Sequence, residues 1–171
     1  MSRGQSSFAR VYDEHVWRVY AFLAYRLGDR ETVEDLTQAT FERALRAWSR
    51  FDSRRASERT WLLSIAQNLL IDHARRDRSA LIDPLDERLT QSLAAPEERA
   101  AGSPELLGAL AQLSGREREL LALRFGGDLT GAEIARLTGL TLANVQQITS
   151  RSLRKLRMLL AGEQSGHQIP A

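Results

Sequence analysis

Three helix-start signals crowd into one stretch of this 171-residue chain. Ser114-Gly115-Arg116-Glu117 and Thr130-Gly131-Ala132-Glu133 both fit the capping box S/T-x-x-E, in which side chain and backbone cap each other reciprocally. Thr141 caps a third helix, and between the second and third stands Thr138-Gly139-Leu140, with Gly139 for the turn and Leu140 as a core plug. A short helix, a glycine turn and a second capped helix form the helix-turn-helix pattern. The punctuation predicts helices over about 115–125, 131–137 and 142–160. A further one over about 104–112 opens at Ser103-Pro104-Glu105, with proline at the first helical position.

The first half is helical by periodicity. Phe8, Val11, Tyr12, Val16, Val19, Leu23 and Leu27 recur at helical spacing after a Ser6 or Ser7 cap, and Gly28 stops the run. A second helix runs from about Arg30 to Trp48, with Val33, Leu36, Thr40, Ala44 and Trp48 along one side. After a polar loop over 49–56, Ser57 caps a third helix carrying Trp61, Leu62, Ile65, Ala66, Leu69 and Leu70 into a basic end. No stretch has the alternation of a strand. The expected class is all-α: two small helical domains, 1–80 and 104–161, joined by a flexible linker over 81–103 and followed by a disordered tail over 162–171.

Charge supports that division. Residues 1–80 carry 14 basic and 11 acidic side chains, a net +3, and residues 105–171 carry 8 and 6, a net +2. Between them, 81–104 holds Arg88 and Arg99 against Asp83, Asp86, Glu87, Glu97 and Glu98, a net −3, with Pro84, Pro96, Gly102 and Pro104. An acidic, proline-punctuated and weakly apolar segment reads as a tether. The chain has no cysteine, so no disulfide and no thiolate metal site forms. His15, His73 and His167 lie far apart without metal-ligand spacing, and His15 and His73 read as surface or boundary residues. Glu34 and Asp35 are adjacent, so they face different directions on a helix and make no acid/base pair. Ser64 has no partner histidine or aspartate at a recognisable spacing, and there is no phosphate-binding GxxxxGK[ST] loop. Neither an enzyme nor a cofactor is expected. With no membrane-length apolar run and no signal peptide, the expected location is the cytoplasm.

On the last helix Val145, Ile148, Leu153 and Leu156 are the inward residues. The other side presents Asn144, Gln146, Gln147, Thr149, Ser150 and Arg151, then Arg154, Lys155 and Arg157. Amides and hydroxyls near a helix N-terminus suit base edges in a major groove, and the cations further along suit phosphates. Thr141, at the N-terminus, adds a dipole that favours a phosphate.

Glu34-Asp35-Leu36-Thr37-Gln38-Ala39-Thr40-Phe41 resembles the EDLTQETF motif of bacterial σ factors, and 61–76 resembles their WLLxIARNxxIDxxRR stretch. With the helix-turn-helix of 115–160 following, and no domain between, the chain resembles the extracytoplasmic function (ECF, group IV) σ factors of the σ70 family. The resemblance implies a non-enzymatic initiation subunit that binds core RNA polymerase at the clamp helices and flap of its large subunits. It places the clamp contact on Asp35, Leu36, Gln38, Phe41 and Glu42, with core packing an equal reading for Phe41. It implies that the helix 61–76 and the loop over 49–59 read the promoter −10 element as single strand, with Asn68 at a base and Asp72, Arg75, Arg76 and Arg78 nearby. A flipped base costs a few kcal/mol of unstacking, which a pocket must offset. The −35 element would be read as duplex by Thr141, Asn144, Gln146, Gln147, Ser150, Arg151, Arg154 and Lys155. Here the chain departs from the usual SxGTVKSRLxRA pattern: glutamines stand at 146 and 147, and Ile148 stands where arginine is usual. Bidentate glutamine contacts suit adenine, and the lower charge predicts weaker phosphate affinity. Family members are often held by an anti-σ factor.

Two other classes fit parts of the pattern. A ligand- or phosphorylation-controlled helix-turn-helix regulator would need a pocket or a phosphorylated aspartate, and neither is visible in the sequence. A polymerase-binding antagonist without promoter activity would fit the weakly charged recognition helix.

Overall fold

The computed structural model describes residues 3–27, 29–80 and 104–165. The linker over 81–103, Gly28 and the end of the tail lie outside the described residues, as do the side chains of 3–7, 77–80, 104, 107 and 162–165, Arg78 among them. The chain order is α1 (Arg3–Ala24), α2 (Arg30–Ala47), a 3-10 turn (Trp48–Arg50), α3 (Glu58–Ala80), α4 (Pro104–Ala111), α5 (Gly115–Leu121), a π-helical turn (Ala122–Gly126), α6 (Gly131–Thr138) and α7 (Leu142–Ser165). There is no strand among the described residues.

Helix α1 starts at Arg3, so Ser6 and Ser7 fall inside it rather than at its cap. Its buried stripe is also rotated from the expected one. Phe8, Val11, His15, Val19, Phe22 and Leu23 face inward, while Tyr12 is 45% exposed. Positions 8, 11, 15, 19 and 22 keep strict three- and four-residue steps, and the stripe accepts a histidine rather than break them. His15 is therefore buried, not a surface residue. Helix α2 packs against α1 and α3 and buries Val33, Thr37, Thr40, Phe41 and Ala44. Thr37 and Thr40 resolve their buried hydroxyls by donating to the carbonyls of Val33 and Leu36, each at 2.7 Å. Asp29 caps α2, accepting from the Thr32 N–H at 2.9 Å. The hydroxyl donor of Thr32 holds the Asp29 carboxyl below its ordinary range.

Both capping boxes form as the sequence predicts. Ser114 accepts from the Glu117 N–H, and Thr130 from the Glu133 N–H, while each glutamate accepts from its cap residue's N–H. Gly139, at φ 71°, closes α6 in the left-handed conformation that glycine adopts without a Cβ clash. Two details differ. The helix expected over 115–125 widens at Ala122 into a π turn, closed by the Gly127 N–H donating to the Ala122 carbonyl at 2.8 Å. Helix α7 continues past Leu160 to Ser165.

The two helical units are packed together, not apart. Phe22, Leu23, Leu62, Leu63 and Ala66 share one buried cluster with Leu120, Leu123, Leu129, Ile134 and Val145. Each large apolar side chain buried there contributes about 1.5–3 kcal/mol relative to exposure. Gly126 and Gly127 set the distance between the units, with a Cβ on Gly127 falling 2.6 Å from a Leu63 methyl. A smaller cluster of Ala109, Leu110, Leu113, Leu121 and Leu156 holds α4, α5 and α7 together.

Candidate nucleic-acid interface

Three surfaces carry the residues singled out by sequence. On α2, Asp35, Gln38 and Glu42 are exposed and Leu36 is half-buried. The Gln38 amide donates to Glu42 at 3.0 Å, and Glu42 pairs with Arg46 at 3.3 Å, which lines up a polar row one helical turn apart. Phe41 is core: it is 5% exposed and meets Tyr12 edge-on at 4.8 Å and Phe8 at 6.4 Å. It supports the α2 surface from beneath and offers no ring to a partner.

The second surface is the start of α3 with the loop before it. Trp48 stacks on Phe51 at 5.1 Å, and both pack against Trp61, at 6.0 and 4.9 Å. This aromatic block fixes the loop. Asp52 accepts from the side chain and N–H of Arg54, which hold its carboxyl below the usual range. Ser57 caps α3, taking the Thr60 N–H at 3.2 Å. Beside them a cleft of about 240 Å³ is lined by Arg55, Ala56, Ser57, Thr60, Trp61 and Ser64, and on its far side by Arg136 and Leu137 of α6. Asn68 is exposed one turn beyond Ser64 on the same side of the helix, and Arg75 and Arg76 are exposed further along. Asp72 is half-buried, and Arg78 lies outside the described side chains.

The third surface is α7. Val145, Ser152 and Leu156 face inward. Gln147, Ser150 and Arg154 project on the opposite side, flanked by Gln146 and by Asn144 and Arg151, all exposed. Thr141 accepts from the Asn144 N–H at 3.2 Å and so serves as the cap. The Thr149 hydroxyl is buried, which removes Thr149 from the outward set. Lys155 is exposed but engaged: its Nζ donates to the Gln112 carbonyl at 2.8 Å and lies 3.9 Å from Glu117.

Sequence reasoning missed a polar seam between the units. Asp128, in the left-handed conformation at φ 54°, accepts from Arg18 at 2.7 Å and from Arg59 at 3.0 Å. Glu133 takes the Thr60 hydroxyl at 3.1 Å and Arg59 at 3.4 Å, besides serving its own cap. Burial pulls the Glu133 carboxyl upward, but the hydrogen bonds from Thr130 and Thr60 and the charge of Arg59 outweigh it, leaving it below the ordinary range. Partners 69 and 74 residues apart leave no local signal in a sequence. Near this seam Glu14, His15 and Glu58 bring ligand atoms within 4.8 Å of one another. Arg10 already pairs with both carboxylates at 2.8 Å, so their charge is met by a guanidinium.

The described residues thus form helical units with an exposed acidic-amide row on α2, a cleft beside the loop before α3 and an outward amide-rich side on α7. Residues 11–80 match the sigma-70 region 2 family, and residues 109–158 match sigma-70 region 4. The ECF RNA polymerase sigma factor BldN of Streptomyces coelicolor is 34% identical over 159 residues, covering 90% of this chain and 60% of BldN. The ECF RNA polymerase sigma factor SigX of Bacillus subtilis is 30% identical over 165 residues, covering 90% of this chain and 83% of SigX. The fold is similar to that of the sigma factor RpoE from Bartonella quintana, solved in complex with the anti-sigma factor NepR. The TM-score is 0.72 at 20% identity, covering 91% of this chain and 97% of that one. The chain belongs to the ECF sigma factors of the sigma-70 family. Among the described residues no helix is long and apolar enough to cross a membrane.

Proposed function

We propose that this chain is a group IV σ subunit that directs core RNA polymerase to promoters from within the cytoplasm, without enzymatic activity of its own. Core binding falls to the α2 surface: Asp35, Gln38 and Glu42 offer acceptors and an amide to a basic partner helix, and Leu36 adds apolar contact. The supporting observation is that this polar row stands exposed on a helix whose other side is fixed by Phe41 and Val33.

The melted −10 strand is received at the cleft beside Thr60, Trp61 and Ser64, with Asn68 in reach of a base. A cleft of about 240 Å³ against an aromatic block suits one unstacked base. Arg75 and Arg76 attract the phosphates that follow. The −35 duplex is read by α7, with Gln146, Gln147 and Asn144 toward base edges and Arg151 and Arg154 toward phosphates. Because RpoE was solved with an anti-sigma factor, an anti-σ partner is proposed for this chain as well.

Transcription from a promoter library by reconstituted holoenzyme tests the reading. Selective initiation supports it. Tight duplex binding without polymerase points instead to an ordinary regulator, and polymerase binding without initiation points to an antagonist.

A further inference from the structure

Three side chains converge where the middle of α1 meets the first turn of α3. The His15 side chain is 8% exposed. Its Nδ1 is buried without a hydrogen-bond partner among the described residues. Its Nε2 faces Glu14 Oε1 at 3.9 Å and Glu58 Oε2 at 3.7 Å, both beyond hydrogen-bond reach. A buried polar ring is normally partnered, so this one has a donor atom to spare. Arg10 does not use it. The Arg10 guanidinium takes Glu14 Oε2 and Glu58 Oε1, each at 2.8 Å, which leaves the other oxygen of each carboxylate turned toward the ring.

One ligand atom from each of Glu14, His15 and Glu58 lies within 4.8 Å of the other two. A tetrahedral ion bound at about 2.0–2.1 Å needs its ligands about 3.3–3.4 Å apart. The two ring-to-carboxylate distances are only a few tenths of an ångström wider. Glu14, at 54% exposed, has the freedom to close in and gives the ion a path from solvent. Arg10 then donates to the outer oxygens, as hydrogen-bond donors do behind ligating carboxylates. Arg18 and Arg59 are the other cations that act on the ring, and Asp128 engages both, at 2.7 and 3.0 Å.

From this geometry we infer that Glu14, His15 and Glu58 form a binding site for a divalent transition-metal cation, best matched by zinc, which ties α1 to the start of α3. One imidazole with two carboxylates suits zinc, whereas magnesium and calcium take oxygen ligands. Nε2 supplies the lone pair, Nδ1 keeps the ring proton, and water fills the fourth position.

The purified full-length chain, stripped with a chelator and titrated with zinc chloride against a competing indicator, tests the site. The expected result is one tightly bound equivalent, with cobalt(II) in its place giving the visible absorption of a tetrahedral site. Glu14→Gln and Glu58→Gln should each weaken zinc by at least about tenfold. His15→Asn should abolish the cobalt absorption, and His73→Gln should leave both readouts as in the parent. The exposure of Glu14 keeps its variant folded even where the His15 variant is not. Zinc should also raise the melting temperature of the parent and not that of Glu14→Gln, because an ion held only by the folded chain stabilises it. Absence of saturable binding overturns the inference. Equal binding by the parent, Glu14→Gln and Glu58→Gln overturns it too, since that result means an adventitious ion only.

Discussion

The backbone nitrogen of Phe22 lies 2.9 Å from where a Cβ on Gly126 would sit, and the Ala21 carbonyl carbon is 3.0 Å away. Backbone therefore meets backbone where the π turn presses on α1, and neither side has a flexible end to move. Gly126→Ala should force the turn off α1 and destabilise the packed chain by about 1–3 kcal/mol, as overpacking does. Urea unfolding checks it: the midpoint should fall, and the two units should lose their single transition. An unchanged midpoint would place the glycine in open space.

Thr130→Ala should cost about 1 kcal/mol through loss of the α6 cap. The same change removes a donor to Glu133, whose carboxyl also binds Thr60 and Arg59 across the seam. Thermal unfolding should register the cap, and hydrogen exchange in α6 should rise more than in α7.

His15 gives a pH dependence of definite sign. Burial, its largest influence, lowers its pKa below the ordinary histidine value, and the nearby Glu14 and Glu58 only partly counter this. The folded chain keeps the ring neutral where the unfolded chain would protonate it. Its contribution to stability is complete above about pH 6.5 and is lost as pH falls below that value. Equilibrium unfolding at a series of pH values should show this decline, and His15→Gln should flatten it. The carboxyls held low, those of Asp29, Glu117 and Glu133, act in the same sense as His15 but at more acid pH. Their stability is present above the ordinary carboxylate range and is lost as pH drops through it.

Asp35→Ala with Gln38→Ala removes exposed groups from α2 and leaves Phe41 and Val33 packed. The circular dichroism and melting of the chain should be unchanged while core-polymerase affinity falls at least tenfold, about 1.4 kcal/mol. Equal affinity in a pull-down would remove the docking role from this helix. Gln146→Ala and Gln147→Ala should alter −35 preference more than −10 preference in a promoter selection.

Much of the architecture was legible in short-range chemistry. Capping boxes at Ser114 and Thr130 and the glycine turn at Gly139 act within one helical turn, so they appear directly in the residue order. The α1 stripe was harder because Tyr12 and Val16 are as apolar as the buried positions, and only packing selects His15 over Tyr12. The seam of Arg18, Arg59, Asp128 and Glu133 had no sequence signal, because its partners are brought together by Leu63, Gly126 and Gly127 across the fold. Glu133 reads from sequence as a cap alone, yet its second oxygen serves the other unit. The outward residues of α7 followed from periodicity, except Thr149, whose hydroxyl the helix turns inward.

The most direct test is initiation itself. Core RNA polymerase is mixed with this chain and a randomised promoter library, and the transcripts are sequenced. The account predicts a transcript pool enriched for one −35 sequence and one −10 sequence, with the enrichment at −10 lost on Asn68→Ala. A pool identical to that made by core polymerase alone would contradict it.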